Sequence, residues 1–578
     1  MPIKITPITE IAAVASAITE ISLNGQVQGI PGIHLDVVSD IVSTDQNNRP
    51  THVKGNFWEK KFALNKQGEL DIKFNFHYVA FRQFLDDAGY CQMMTPNHEG
   101  PASYDFVQIT NHVVRSVDDT EIVNSIYKWI RDNNLPEVEE YLIRGSSRYF
   151  NKTILRSVPA KHIKFMKDTP DSAHLFFKNC FVKIQYDNKT ENATPTTHNY
   201  AELKGHIWSS QIIERDYAFD GDYMTGHFAE FLQLAINKPH GPDLEEGRLV
   251  KTNYNTRYKM VSDTEMSEEL KKLGSIMSGI GYMQHGYKAP SNAKLFALFD
   301  AKYSREMKAL GRSGKSLIFK AIQQMVPTLF IDGKDVNFNK EKETFKQVTR
   351  ATRVIVFNDV KPTFDFQNLF HKITEGITFE RKFENPVTLS YEDSPKFGLT
   401  ANFALKGNDD SSLDRQFIGE LEDHFNAKNK PVNHFKAEFF TAHWPAEQWN
   451  KFYSFMIDCL RVWLEYQFIE FPNLNYFFKQ LSQTVTPEFL DFWEETIPKD
   501  GQKFGIKEHW EKFKGEYADF EKLTQNKFTS WIKTTAKYYG YLYNPYNANG
   551  RIRSDGVDYA QLILVADAEK ERVVNEGG

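Results

Sequence analysis

Cysteine is scarce. Cys91, Cys180 and Cys459 are the whole complement, they stand far apart, and no C-x-x-C pair occurs. That excludes a disulfide framework and a zinc ribbon, and it fits a reducing cytoplasm. Long apolar runs are missing as well: nothing reaches the roughly 18 uncharged residues a membrane span requires. The apolar stretch from Ile8 to Ile21 is broken by Glu10 and Glu20 and has no basic leader, so a signal peptide is not expected. Neither sign of charge dominates. Lys and Arg number 70 against 76 Asp and Glu, a formal net charge of -6. A protein coated in basic surface is excluded, so any nucleic-acid contact has to come from local patches or from the pore of a ring. Internal repeats and low-complexity tracts are also absent.

What is present is aromatic and apolar. Hydrophobic residues make up 41% of 578, and 46 of the aromatics are Phe. A chain of this length exceeds one core and calls for about three to five domains. Residues 1–110 mix alternating runs such as Asp71 to His77 with turn clusters, and predict an α+β module. Beyond Asp118 and Asp119, a cap pair, Ile122, Ile126 and Ile130 recur at helical spacing. A mixed, partly helical domain is therefore expected over 111–250, with an exposed polar loop from Asp187 to Asn199. Helices are expected from about 265 to 305. Short apolar runs then follow at 328–331, 353–357 and 396–400, as strands of a covered parallel sheet do. An α/β ATPase domain over 251–435, a helical connector over 436–500 and a small basic module over 501–578 complete the expected order.

Leu310-Gly-Arg-Ser-Gly-Lys-Ser-Leu-Ile318 opens directly into a helical pattern. The backbone N–H groups of such a turn and the helix N-terminus cradle phosphates. Lys315 reaches the β and γ oxygens, and Ser316 can hold Mg²⁺. Gly311, Arg312, Ser313, Gly314, Lys315, Ser316 and Leu317 are the candidate ATP-binding residues. The pattern G-x-x-x-x-G-K-[ST] is imperfect, since Ala309 takes its first Gly position and Gly311 has to carry the turn. A P-loop site also needs a carboxylate at a strand end near the metal, and Asp359, closing Arg353-Val-Ile-Val-Phe-Asn-Asp359, supplies one. Asn402 ends a further strand-like run, where an amide can orient the attacking water. Arg415, in Leu413-Asp-Arg-Gln-Phe417, is placed at an expected helix start, from which a cation can cross a subunit boundary.

In order and spacing, Lys315, Asp359, Asn402 and Arg415 resemble Walker A, Walker B, motif C and the arginine finger of superfamily 3 helicases. Ile373 to Phe383 looks like that family's extra motif, whose hairpin lines the ring pore, making Arg381 and Lys382 candidate DNA contacts. Similarity is nearest to primase-helicase-type proteins of phages and mobile elements, over roughly residues 110–578, with the stretches Ile280–His285, Ile331–Lys334 and Ser394–Lys396 included. The resemblance implies a P-loop, AAA+-like core with a parallel sheet. It also implies a six-subunit ring acting on single-stranded and forked DNA in the cytoplasm of a bacterial host, with a primase or other replication proteins as further partners. It departs from the family at Asn358, where an acid is usual; Asp332 is a candidate substitute.

At the C-terminus, an amphipathic stretch carrying Lys533 and Lys537 precedes a turn with Arg551 and Arg553 and the strand-like run 559–565. That order suggests a winged helix, for DNA contact or for packing against a partner. Primase chemistry needs clustered carboxylates for two metals, and only Asp36 with Asp40 and Asp220 with Asp222 stand close. A ring collar or replication adaptor is the expectation for the N-terminal part. The leading functional expectation is a replicative helicase; an origin-binding or loading protein, or a ring ATPase acting on protein or in DNA packaging, stands beside it.

Overall fold

The computed structural model describes residues 40–44, 50–64, 66, 70–95, 103–237, 268–301, 312–336, 338, 344–379, 387–405, 410–471, 473–499, 501–547 and 550–565. Gly311, Arg381, Lys382 and Asp36 lie outside them. The chain divides into two compact units, Met1–Lys167 with Leu175–Val182 and Thr197–Asp216, and Asp168–His174 with Lys183–Thr196 and Tyr217–Gly578. All three cysteines are buried free thiols. Among the described residues, no helix is long and apolar enough to cross a membrane.

In the first unit the strands Asp40–Thr44, Pro50–Lys54, Trp58–Leu64 and Leu70–Phe76 form an antiparallel meander. The helix Asp119–Asp132 begins at a capping box in which Asp118 accepts from the Glu121 N–H and Glu121 reaches back to the Asp118 N–H. Ile122, Ile126 and Ile130 share one core with Phe57, Trp58 and Phe81. The boundary expected at 110 falls in the turn of a β-hairpin that pairs Thr110 with Val113. One core therefore draws on residues from both sides of it.

The second unit holds a mixed α/β body around a five-stranded sheet: β1 (Leu295–Asp300), β2 (Thr328–Asp332), β3 (Val354–Val360), β4 (Lys396–Ala401) and β5 (Gln416–Leu421). Every pairing is parallel and the order is β5-β1-β4-β3-β2. β1, β4 and β5 are buried along their whole length, as strands covered on both faces must be. α1 (Glu268–Gln284) and α2 (Lys315–Gln323) flank the sheet, and α3 (Ala446–Tyr466) packs along α1. Gly281 permits that approach, since a Cβ there would stand 2.2 Å from the Cys459 carbonyl oxygen.

Two expectations are corrected here. The 265–305 segment is helical only through Gln284; Leu295–Asp300 is a central strand, because a five-residue apolar run fits a buried strand as well as a helix. Asp187 to Asn199 is a turn leading into the strand Asn192–His198, whose Thr-rich sequence suits a pleated, half-exposed edge.

The C-terminal part continues with α4 (Leu474–Val485), α5 (Pro487–Thr496), β6 (Lys503–Gly505), α6 (Ile506–Glu516), α7 (Gln525–Tyr538), β7 (Tyr541–Tyr543), β8 (Ile552–Ser554) and β9 (Val557–Leu564). β9 pairs antiparallel with β6, β7 and β8. Phe489, Trp493, Phe513, Phe528, Trp531 and Leu562 fill the core between these helices and the small sheet.

Candidate functional site

All five parallel strands end on one side of the sheet, and there the side chains at the carboxyl ends of β3 and β4 meet the turn before α2 in a cleft of about 750 Å³. One wall is the turn Arg312–Leu317 leading into α2. Gly314 is the α2 N-cap with φ +104°. Any side chain there would be strained by the backbone and would also strike the Phe231 ring 2.5 Å away, so only glycine fits. The first N–H groups of α2 are thereby left facing the cleft, an arrangement suited to an anion.

The Lys315 ammonium is buried. It stands 2.5 Å from Asp300 Oδ1, at the end of β1, and donates to Asn402 Oδ1 at 3.0 Å. Ser313 Oγ donates to the same Asp300 oxygen. Burial pulls the Lys315 pKa below the ordinary lysine value, with Asp300 working against that shift. The cleft's principal cation is thus held by a carboxylate and an amide.

β3 carries a β-bulge. Its register with β4 slips between Phe357 and Val360, and Asp359 lies at φ +56°. A bulge re-aims side chains, and here two consecutive residues both reach the cleft. Asn358 Oδ1 accepts from Ser316 Oγ at 2.6 Å and from Thr400 Oγ1 at 3.0 Å. Asp359 takes the other side. Its N–H donates to Thr400 Oγ1, its Oδ1 accepts from Asn402 Nδ2 at 3.1 Å, and Lys334 stands 2.5 Å from its Oδ2. Asn358 therefore takes the Ser316 side that the sequence reading gave to Asp359. Ser316, Asn358 and Asp359 offer oxygen donors only, which suits a hard cation held mainly by phosphates and water. Among the described residues, no group of three or more His, Cys, Asp or Glu is arranged to hold a metal unaided.

The structure brings Arg312, Ser313, Gly314, Lys315, Ser316, Leu317, Asp359 and Asn402 to this cleft. Arg415 is elsewhere. The expectation of a helix start is corrected: the short helix Asp410–Asp414 ends just before it, and Arg415 leads into β5. Its carbonyl accepts from the Leu295 N–H, at the opening of β1 and so at the opposite end of the sheet from the cleft. Nη1 donates to the Ser411 carbonyl and hydroxyl oxygens, and the guanidinium lies 4.9 Å from the Phe370 ring. Asp332 is exposed and accepts from the Lys334 N–H in a turn, away from the cleft lining.

Sequence reasoning missed Asp300, Lys334, Thr400 and the wall formed by Lys430, Val432, Phe439 and Phe440. The signal for Asp300 was available: an apolar run ending in an acid ahead of the Gly-Lys-Ser turn. The far wall had none, since tertiary packing alone brings it there.

Of the C-terminal candidates, Lys533 and Lys537 are exposed on α7, Lys533 lying 4.9 Å from the Tyr543 ring. Arg551 is less free than expected, because Asp558 accepts from its Nε and Nη2 at 2.8 and 2.9 Å; Arg553 Nε stands 4.0 Å from the same carboxylate. The hairpin strands Ile377–Phe379 and Val387–Leu389 pair antiparallel, and the loop between them with Arg381 and Lys382 is outside the described residues.

No protein-family model matches the chain, and no curated protein does. Among solved structures it is similar to the C-terminal region of NrS-1, at 10% identity and a TM-score of 0.34, over 84% of this chain and 99% of that one. It is also similar to a JCV helicase with a small organic molecule bound, at 11% identity and a TM-score of 0.18, over 49% of this chain and 71% of that one. Likeness this remote leaves the functional reading to the chemistry of the cleft.

Proposed function

We propose that this chain is an ATP-driven DNA helicase of the phage or mobile-element type, a P-loop, AAA+-like motor that works as a homo-oligomeric ring, six subunits being expected, on single-stranded and forked DNA. The observation that carries the reading is the meeting of Lys315, Ser316, Asp359 and Asn402 in one cleft at the carboxyl ends of a parallel sheet. In this reading the Arg312–Leu317 N–H groups and the α2 N-terminus bind the triphosphate, and Lys315 exchanges Asp300 for the β and γ oxygens. Mg²⁺ beside Ser316 would neutralise charge on those oxygens. Asp359 and Asn402 hold a water in line with the γ-phosphorus. The water oxygen bonds to phosphorus, the bond to the bridging oxygen breaks, and ADP leaves with that electron pair. The water's proton passes to Asp359 and then to solvent. Arg415 of a neighbouring subunit completes the site.

The C-terminal order of helix, short strand, two helices and antiparallel strands supports a winged helix, with α7 presenting Lys533 and Lys537 to DNA phosphates. A second reading, an origin-binding or loading protein that uses ATP to assemble, is favoured by one feature: the residue on Ser316 is the neutral Asn358.

Strand displacement on a forked duplex with Mg-ATP tests the proposal. Duplex separation that disappears in Lys315→Ala is expected; DNA binding without displacement would favour the loader. ATPase turnover surviving at the wild-type rate in Lys315→Ala would refute the site itself.

A further inference from the structure

Asp359 has two carboxylate oxygens, and the protein engages both. Asn402, which lines the cleft, donates to Oδ1, while the Lys334 ammonium meets Oδ2 from the turn that follows β2. Lys334 does not itself line the cleft. Its placement is fixed by backbone. The Gly333 N–H donates to the Asn358 carbonyl at 2.7 Å, and the Lys334 N–H donates to Asp332 Oδ1 at 2.9 Å. A Cβ on Gly333 would lie 2.6 Å from Val360 Cγ1 and 2.7 Å from the Val360 backbone, so the turn is fitted directly against the β3 bulge.

The side chains of Lys334 and Asp359 are 57% and 41% exposed. An ion pair so open to water adds little to folding stability. What it does fix is orientation. Asp359 sits at a left-handed backbone position with its carboxylate partly open to water, and tying one oxygen outside the cleft limits rotation of the other. A carboxylate has about four lone-pair sites, so both oxygens keep capacity for a cleft water. Asp359 also raises the Lys334 pKa above the ordinary lysine value, so the ammonium stays charged across the neutral range.

From this geometry we infer that Lys334 is a positioning residue for nucleotide hydrolysis: it clamps Asp359 Oδ2 so that the carboxylate and Asn402 together aim the attacking water. The inference rests on the ATPase reading of the cleft. Steady-state hydrolysis of Mg-ATP by the full chain tests it. Lys334→Ala is expected to lower kcat about tenfold or more while KM stays within about twofold, because the loss falls on the chemical step and not on nucleotide binding. Lys334→Arg should restore most of kcat, and thermal melting should hardly change in either variant. Since Lys334 acts through Asp359, Lys334→Ala combined with Asp359→Asn should turn over no more slowly than Asp359→Asn alone. Wild-type kcat in Lys334→Ala, or losses that multiply in the double variant, would overturn the clamp while leaving Lys315-dependent turnover intact. If the wild type shows no Lys315-dependent turnover, the ATPase reading fails and the clamp falls with it.

Discussion

At the scale of single residues, polar chemistry in this chain is settled by who donates to whom. His285 is an example outside the cleft. Trp463 Nε1 donates to its Nδ1 at 2.9 Å, and its Nε2 lies 3.0 and 3.1 Å from the carbonyls of Thr169 and Ser172. One nitrogen must accept and the other donate, which is the neutral imidazole. Burial pushes the His285 pKa down to about 4, the nearby Asp168 opposing the shift. Asp168 is held at about 2; burial raises it, but His174, His285 and Arg353 outweigh that. Unfolded His285 takes up a proton below pH 6.5, whereas the folded residue does so only near pH 4. The His285 contribution to stability should therefore fall as pH drops from 6.5 to about 4, by up to about 3 kcal/mol, and level off below. Folded Asp168 stays charged throughout that window, and its own contribution is lost lower, between about 3.8 and 2. Urea unfolding at pH 6.5, 5.5 and 4.5 checks it, with His285→Gln expected to flatten this part of the profile; an unchanged slope in that variant would remove His285 as the cause.

At the scale of elements, the sheet and α2 fit together through Gly398. A Cβ at that position of β4 would lie 2.4 Å from Phe319 Cε1 on α2, so α2 is seated by the absence of a side chain. Gly398→Ala should cost about 1–3 kcal/mol by overpacking and weaken nucleotide binding, because α2 cannot lift without displacing Lys315 and Ser316. Phe319→Leu in the same chain should recover much of both, measured by thermal melting and by titration with a fluorescent ATP analogue; full stability in Gly398→Ala would contradict the contact. The same elements show what a sequence conveys. β2, β3 and β4 were legible as short apolar runs closed by Gly, Asp or Asn. β5 was not, since Gln416 and Glu420 look like surface residues. They are buried where Gln416 Oε1 accepts from the Tyr476 hydroxyl at 3.3 Å and Glu420 Oε1 accepts from the Tyr476 N–H. Those partners are tertiary, and no local pattern announces them. The Gly-Lys-Ser turn was legible for the opposite reason: its chemistry is backbone geometry, written in consecutive residues.

At the scale of the whole molecule, the separation of Arg415 from the cleft decides how the proposed motor has to work. β5 and β1 run parallel in register from Leu295↔Gln416 to Asp300↔Leu421. Arg415 therefore lies a full strand away from the cleft end of the sheet, about 20 Å at the usual rise per residue. An arginine side chain cannot span that within one subunit, so if Arg415 serves hydrolysis it serves a neighbour's site. Arg415→Ala should then keep nucleotide binding and lose turnover, while Lys315→Ala should fail at the phosphates. Mixing the two inactive variants should restore activity. A site forms wherever an Arg415→Ala subunit, whose P-loop is whole, meets the guanidinium of a Lys315→Ala subunit. With random assembly in a head-to-tail ring at equal concentrations, about a quarter of the interfaces would be competent. The regained rate should follow the mixing ratio and vanish on dilution below the assembly concentration. Mixed rings that form, bind nucleotide and still hydrolyse nothing would place Arg415 outside the reaction and leave it as the cap of its own short helix, bonded to Ser411.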